Sequence, residues 1–176
     1  KALPGNKRMF EPFKKSVLHA IYELEAATKE ATGEVGIALQ ARLGSGAYDL
    51  VVIVNPNNPT GRLVPREVLE EIARNAPLTT LVWVDEAYVD YAGAEQSLER
   101  FAAQRPNVVV CKSLSHGYAL SGMRAAYLCG AAETLAQLRA WTPPWVIGLA
   151  AQVAAVKALQ APTYYQARYR QRANCA

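Results

Sequence analysis

The stretch DLVVIVNPNNPTG, residues 49–61, runs an unbroken apolar, β-branched segment straight into a turn. An apolar run of this length without alternation is the pattern of a strand covered on both faces. The Asn-, Pro- and Gly-rich half that follows is a turn by composition. Similar runs recur as LVWVDEAY (81–88), NVVVCKSL (107–114) and AAYLCG (125–130). After the turn, Pro65 suits the first position of a helix whose inner stripe is Val68, Leu69 and Ile72. Past the last strand, AAETLAQLRAW (131–141) is helical and is broken at Pro143 and Pro144, and a second helix spans about residues 148–160. Strands alternating with helices need crossover connections. The expected fold is therefore α/β, with a mainly parallel, doubly wound sheet and flanking helices.

Upstream, Phe10, Phe13, Val17, Ile21 and Leu24 recur at helical spacing and predict an amphipathic helix over 9–31. His19 within it reads as solvated or structural. IALQARL (37–43) reads as a short helix ending near Gly44. The chain contains no internal repeat, linker or low-complexity tract, and 176 residues suffice for one domain or a piece of a larger one.

Composition narrows the function classes. Charged residues make up 19% and hydrophobic residues 51%, as in an ordinary globular protein. The net charge of +4 is spread along the chain without a basic run, so nucleic acid is not an expected partner. No apolar stretch reaches membrane-spanning length, and no signal-peptide pattern opens the sequence. The three cysteines, Cys111, Cys129 and Cys175, lack metal-ligand spacing. Cys111 and Cys129 fall in apolar runs and read as reduced core residues, which suits a cytoplasmic protein.

In open α/β sheets ligands bind beyond the carboxyl ends of the strands. Three strands here end in polar clusters, which would set Asn58, Asp85, Tyr88, Ser113, Ser115 and His116 along one rim. Asp85 runs directly on from an apolar strand. Burying it is costly without a partner, so it is expected to face a cationic group, the alternatives being a helix cap or a salt bridge to a structural arginine.

NPNNPTG (55–61), VDEAYVDY (84–91) and SLSHGYALSGMR (113–124), in this order and at these separations, resemble the fold-type I pyridoxal-phosphate (PLP) aminotransferases. The likeness is greatest to the subgroup of histidinol-phosphate aminotransferase and threonine-phosphate decarboxylase and runs from about Tyr48 to Tyr169. It implies that Asn58 and Tyr88 hydrogen-bond the phenolic oxygen of the cofactor and that Asp85 pairs with its pyridine nitrogen. It further implies that Ser113, Ser115 and Arg124 hold the phosphate. An amino-acid-type substrate and a homodimer follow by the same resemblance. The whole chain, 1–176, would be the core of the PLP-binding large domain, with a helical part over 1–47, a family-like core over 48–169 and no C-terminal small domain.

The sequence departs from the family pattern at one decisive position. The family's Schiff-base lysine precedes the phosphate-binding arginine by eight residues, and eight residues before Arg124 stands His116. An amine links covalently to the cofactor and then shuttles a proton, whereas an imidazole can move the proton but cannot hold the link. Lys112, inside the strand run, would have to leave the sheet to reach the rim. A Gly-containing phosphate loop, a ring-stacking aromatic residue and a substrate-carboxylate arginine are not found either. Two readings follow: an enzyme holding PLP noncovalently with His116 as base, or a noncatalytic binding or interaction subunit of the same fold.

Overall fold

The computed structural model describes residues 48–173; the helical segments expected at 9–31 and 37–43, and Cys175, lie outside them. Strand β1 (Leu50–Val54) leads to helix α1 (Arg66–Asn75), then β2 (Leu81–Asp85), the short helix α2 (Val89–Ala92) and a 3-10 turn. Helix α3 (Glu99–Ala102), β3 (Val108–Ser113) and β4 (Ala126–Cys129) follow, and helices α4 (Ala132–Ala140), α5 (Leu149–Leu159) and α6 (Pro162–Ala173) complete the described chain. The sheet order is β1-β2-β3-β4. Strands β1, β2 and β3 are parallel, and β4 pairs antiparallel with β3. This is the mainly parallel α/β sheet with flanking helices expected from the sequence.

Crossover helices cover one face of the sheet. Val51, Ile53, Val82, Val84, Val108 and Val110 point to that face and pack with Leu69 and Ile72 of α1 and with Leu98, Phe101 and Ala102 of the α3 region. Each large aliphatic side chain buried this way contributes about 2 kcal/mol. Helix α1 keeps its inner stripe in register through Glu70, which bonds Arg66 (2.7 Å) and Arg74 (2.8 Å), each one turn away. Pro65 caps this helix from outside rather than opening it.

Three expectations need correction. Strands β1 and β2 alternate between buried and half-buried residues, so among the described residues only one face is fully covered. Cys111 and Cys129 are half-buried free thiols rather than core residues. Cys111 lies on the less covered face, level with Asp85, whereas Cys129 packs against the core from β4, which the described sheet leaves at an edge. The second strand also ends earlier than the apolar run suggests. Asp85 Oδ1 accepts the Ala87 N–H (3.0 Å), a local side-chain turn that stops the ladder before Tyr88.

Strand alternation sends the adjacent acids Asp85 and Glu86 to opposite sides. Glu86 enters the core beneath the sheet, 1% exposed, where it accepts the Ser97 hydroxyl and the Leu98 N–H, both at 2.7 Å. Lys112 points to the same side from β3. Its ammonium lies 3.9 Å from Glu86, 3.5 Å from Asp90 and 3.4 Å from Glu99. Glu99 in turn accepts the Tyr127 hydroxyl (2.6 Å), which ties β4 to the same cluster. Burial raises the Glu86 pKa, opposed by its bonds to Leu98 and Ser97 and by the Lys112 charge. A carboxyl raised in this way stabilises the fold below its unfolded pKa near 4.5, and that contribution is lost as pH rises through the raised value. Lys112→Met removes the nearest compensating charge and should cost about 3 kcal/mol near neutral pH. The deficit should shrink at about pH 4, where Glu86 is protonated. Urea unfolding of parent and variant at the two pH values measures both effects, and an equal deficit at each would contradict this account of the cluster.

Candidate functional site

The parallel register aligns the carboxyl ends of three strands. Val54 pairs with Asp85, and Asp85 with Cys111, so the residues that follow each strand emerge on a common rim. Each expected site residue sits at or just beyond that edge.

The first loop is shaped by its own polar side chains. Buried Asn55 holds Val64 from both sides: its Oδ1 accepts the Val64 N–H (2.8 Å) and its Nδ2 donates to the Val64 carbonyl (3.0 Å). The Thr60 hydroxyl donates to Asn57 Oδ1 (2.9 Å), and Gly61 turns the chain at φ +69°, a conformation that glycine adopts without steric cost. The loop presents Asn58 outward, and its Nδ2 donates to the Tyr88 hydroxyl at 3.3 Å. That bond makes the Tyr88 oxygen an acceptor and leaves its own proton for another partner. A depression of about 470 Å³ opens here, lined by Asn57, Asn58, Leu63, Tyr88 and Tyr91 among others.

His116 belongs to the same group. Its exposed imidazole stacks on the Tyr88 ring, with centroids 5.0 Å apart and planes inclined by 20°. Asn58, Tyr88 and His116 therefore form one continuous chain of contacts drawn from three separate loops.

Asp85 stands on the same rim, half-buried. Apart from the bond to Ala87 N–H it carries no ion pair among the described residues, and no structural arginine among them takes its charge. Its carboxylate and burial together push the neighbouring Cys111 thiol up to about 11, burial being the larger cause.

Ser113 and Ser115 share the turn after β3, where Ser113 Oγ accepts the Ser115 N–H at 3.2 Å. The β3–β4 pairing sets Ser113 opposite Ala126 and continues with Leu114 N–H to the Ala125 carbonyl (3.1 Å). Arg124 adopts a left-handed backbone (φ 52°) and is exposed, its guanidinium donating to the Ser121 carbonyl at 3.3 Å. Hydroxyls and a guanidinium suit a small anion, while Asp85 suits a cationic group. No contact links Asp85 to the serines or to Arg124, so the rim gathers the expected residues as separate polar stations.

Two participants were not singled out in the sequence. The Tyr91 hydroxyl donates to the His116 carbonyl at 3.2 Å, although its spacing of three from Tyr88 places it one helical turn on and was a usable signal. Asn55 gave no such signal, because its partner Val64 lies beyond the turn. Lys112, expected to stay off the rim, is turned into the carboxylate cluster on the other side of the sheet.

Comparison with known proteins places this arrangement in context. The pattern described as "Aminotransferase class I and II" matches residues 20–174. Histidinol-phosphate aminotransferase of Moorella thermoacetica is 40% identical over 114 residues, covering 63% of this chain and 30% of the relative. Aromatic amino acid aminotransferase of Mycobacterium marinum is 36% identical over 121 residues, covering 68% of this chain and 34% of the relative. The crystal structure of histidinol-phosphate aminotransferase from Sinorhizobium meliloti, in complex with pyridoxal-5'-phosphate, superposes with a TM-score of 0.71 at 28% identity, over 77% of this chain and 37% of that one. The chain thus spans only about a third of the length of these relatives. With the family pattern matched across most of its residues and the fold shared with a solved member, the chain belongs to the class I and II aminotransferases.

Proposed function

We propose that this chain binds pyridoxal 5'-phosphate noncovalently on the carboxyl rim of its sheet, and that it acts on an amino acid or amino-acid phosphate in amino-group transfer. The single observation that carries this reading is Asp85: a half-buried carboxylate at the end of β2, without an ion pair among the described residues, on the rim that also holds the Asn58–Tyr88 pair. The donor set fits the cofactor. Tyr88, which accepts from Asn58, has its proton available for the phenolic oxygen, and Asn58 has a second N–H for the same atom. Ser113, Ser115 and Arg124 supply hydroxyls and a fixed guanidinium fork for the phosphate. Asp85 would hold the ring nitrogen in its protonated form. When bound, the ring supplies an electron sink for a substrate carbon that loses its proton.

In this reading His116 occupies the position of the family's covalent lysine. Its imidazole, held on the Tyr88 ring, can take a proton from the substrate carbon and return it, but forms no lasting bond to the cofactor. Residues 48–169 would form the core of the cofactor-binding large domain. Assembly as a homodimer belongs to the same reading, by resemblance to the family. The substrate class is supported by the relatives' histidinol-phosphate and aromatic amino acid activities. One observation favours the alternative, a noncatalytic member of the family. Among the described residues, Lys112 is committed to three carboxylates and offers no substitute amine.

Three outcomes are expected. Borohydride treatment of the PLP complex, followed by peptide mass spectrometry, should yield no cofactor-labelled peptide, whereas His116→Lys should gain both a label at position 116 and a new visible absorbance band; a label on Lys112 would refute the assignment. Asp85→Asn should weaken PLP binding by about tenfold or more, as expected on losing a charged hydrogen-bond partner. A dissociation constant that does not move would remove Asp85 from the site. The same variant, without cofactor, should speed alkylation of Cys111 at mildly alkaline pH, because the Asp85 charge helps raise that thiol. Mass-spectrometric labelling rates for Cys111 in parent and variant measure this directly.

A further inference from the structure

Tyr88 and Tyr91 project from one helical turn toward the loop that carries His116, and they hold that single residue in two different ways. Tyr88 takes the imidazole against its ring. Tyr91 donates its hydroxyl to the His116 backbone carbonyl at 3.2 Å, while the same carbonyl closes the local turn by accepting the Ala119 N–H at 3.3 Å. The Tyr91 ring is itself set edge-on against Tyr169 of α6, with centroids 5.1 Å apart and planes at 65°. Helix α6 reaches the loop a second time through Tyr165, whose ring lies 4.8 Å from that of Tyr118 and whose hydroxyl donates to the Tyr118 carbonyl at 3.4 Å.

An exposed histidine in a loop samples several rotamers, and fixing it costs conformational entropy that a ring stack alone offsets weakly. A hydrogen bond to its backbone lowers that cost by fixing the point from which the side chain departs. We infer that Tyr91 is a positioning residue for His116, its hydroxyl orienting the loop so that the imidazole lies on the Tyr88 ring. Tyr169 backs the Tyr91 ring, so the placement of α6 is transmitted to the site through two tyrosines. The consequence for chemistry rests on the reading of His116 as the proton-transfer group of the cofactor site, but the positioning itself is independent of it.

The test exploits the chain's two histidines, whose imidazole protons give two resolvable sets of NMR signals, assigned by loss of one set in His116→Ala. In the cofactor-free parent, the His116 signals should be displaced upfield of those of a free imidazole by the Tyr88 ring. Undisplaced signals in the parent overturn the inference whatever the variants do. Tyr91→Phe keeps the ring against Tyr169 and removes only the hydroxyl. It should melt within about 2 °C of the parent, yet lose at least half of the His116 displacement. If the displacement persists in a folded Tyr91→Phe protein, Tyr91 does not position His116. PLP titration then separates the two readings. Binding to the parent that weakens about threefold to tenfold in Tyr91→Phe supports both. No binding to either protein, with the NMR change intact, refutes the cofactor site and leaves the positioning role standing.

Discussion

The buried contact between Lys112 and its three carboxylates is the constraint on which the arrangement of the site depends. In a strand, successive side chains alternate between faces, and the parallel register of β2 with β3 decides which residues meet. Glu86 and Lys112 fall on the side covered by α1 and α3, where an unpaired charge is costly, and each compensates the other. Asp85 and Ser113 consequently fall on the opposite side or at the edge, where a ligand can reach them. The cluster also binds the elements that frame the rim: Glu99 begins α3, Asp90 lies in α2, and Tyr127 comes from β4. The polar interior beneath the sheet and the polar rim above it are two results of the same alternation.

On the rim the side chains are organised by short-range contacts rather than by a central ion pair. Asn58, Tyr88 and His116 form a contact chain from three loops, while Ser113 and Ser115 share the turn after β3. Asp85 stands apart from both. Such an arrangement suits a ligand that has distinct ends, an anionic group at one and a cationic ring at the other, because its stations are separated yet supported by the same three strands.

Helix α6 and the tyrosines around it give the site a second support. Tyr91, Tyr118, Tyr165 and Tyr169 pack ring against ring and bond the loop at His116 and Tyr118 through hydroxyls. Aromatic contacts of this kind fix geometry at low entropic cost, because each ring has few rotatable bonds. The chain's C-terminal helix, distant in sequence from β1 and β2, thereby bears on the residues that follow them.

The amino-acid sequence by itself determined the strands, their order along the chain and the carboxyl rim as the place for polar residues. Those features rest on local signals: β-branched runs, Asn-Pro turns and a helix stripe at Val68, Leu69 and Ile72. It also placed Asn58, Asp85, Tyr88, Ser113, Ser115 and His116 on that rim, because each ends a strand or lies in the segment that follows one. The tertiary structure alone decided what each residue touches. That Asp85 and Glu86 part company, that Lys112 turns into a carboxylate cluster, that Cys111 and Cys129 stay half-buried and that His116 stacks on Tyr88 all follow from strand register and loop packing between residues far apart in sequence. Such pairings depend on how separate segments align in space, and no pattern within one segment carries that information.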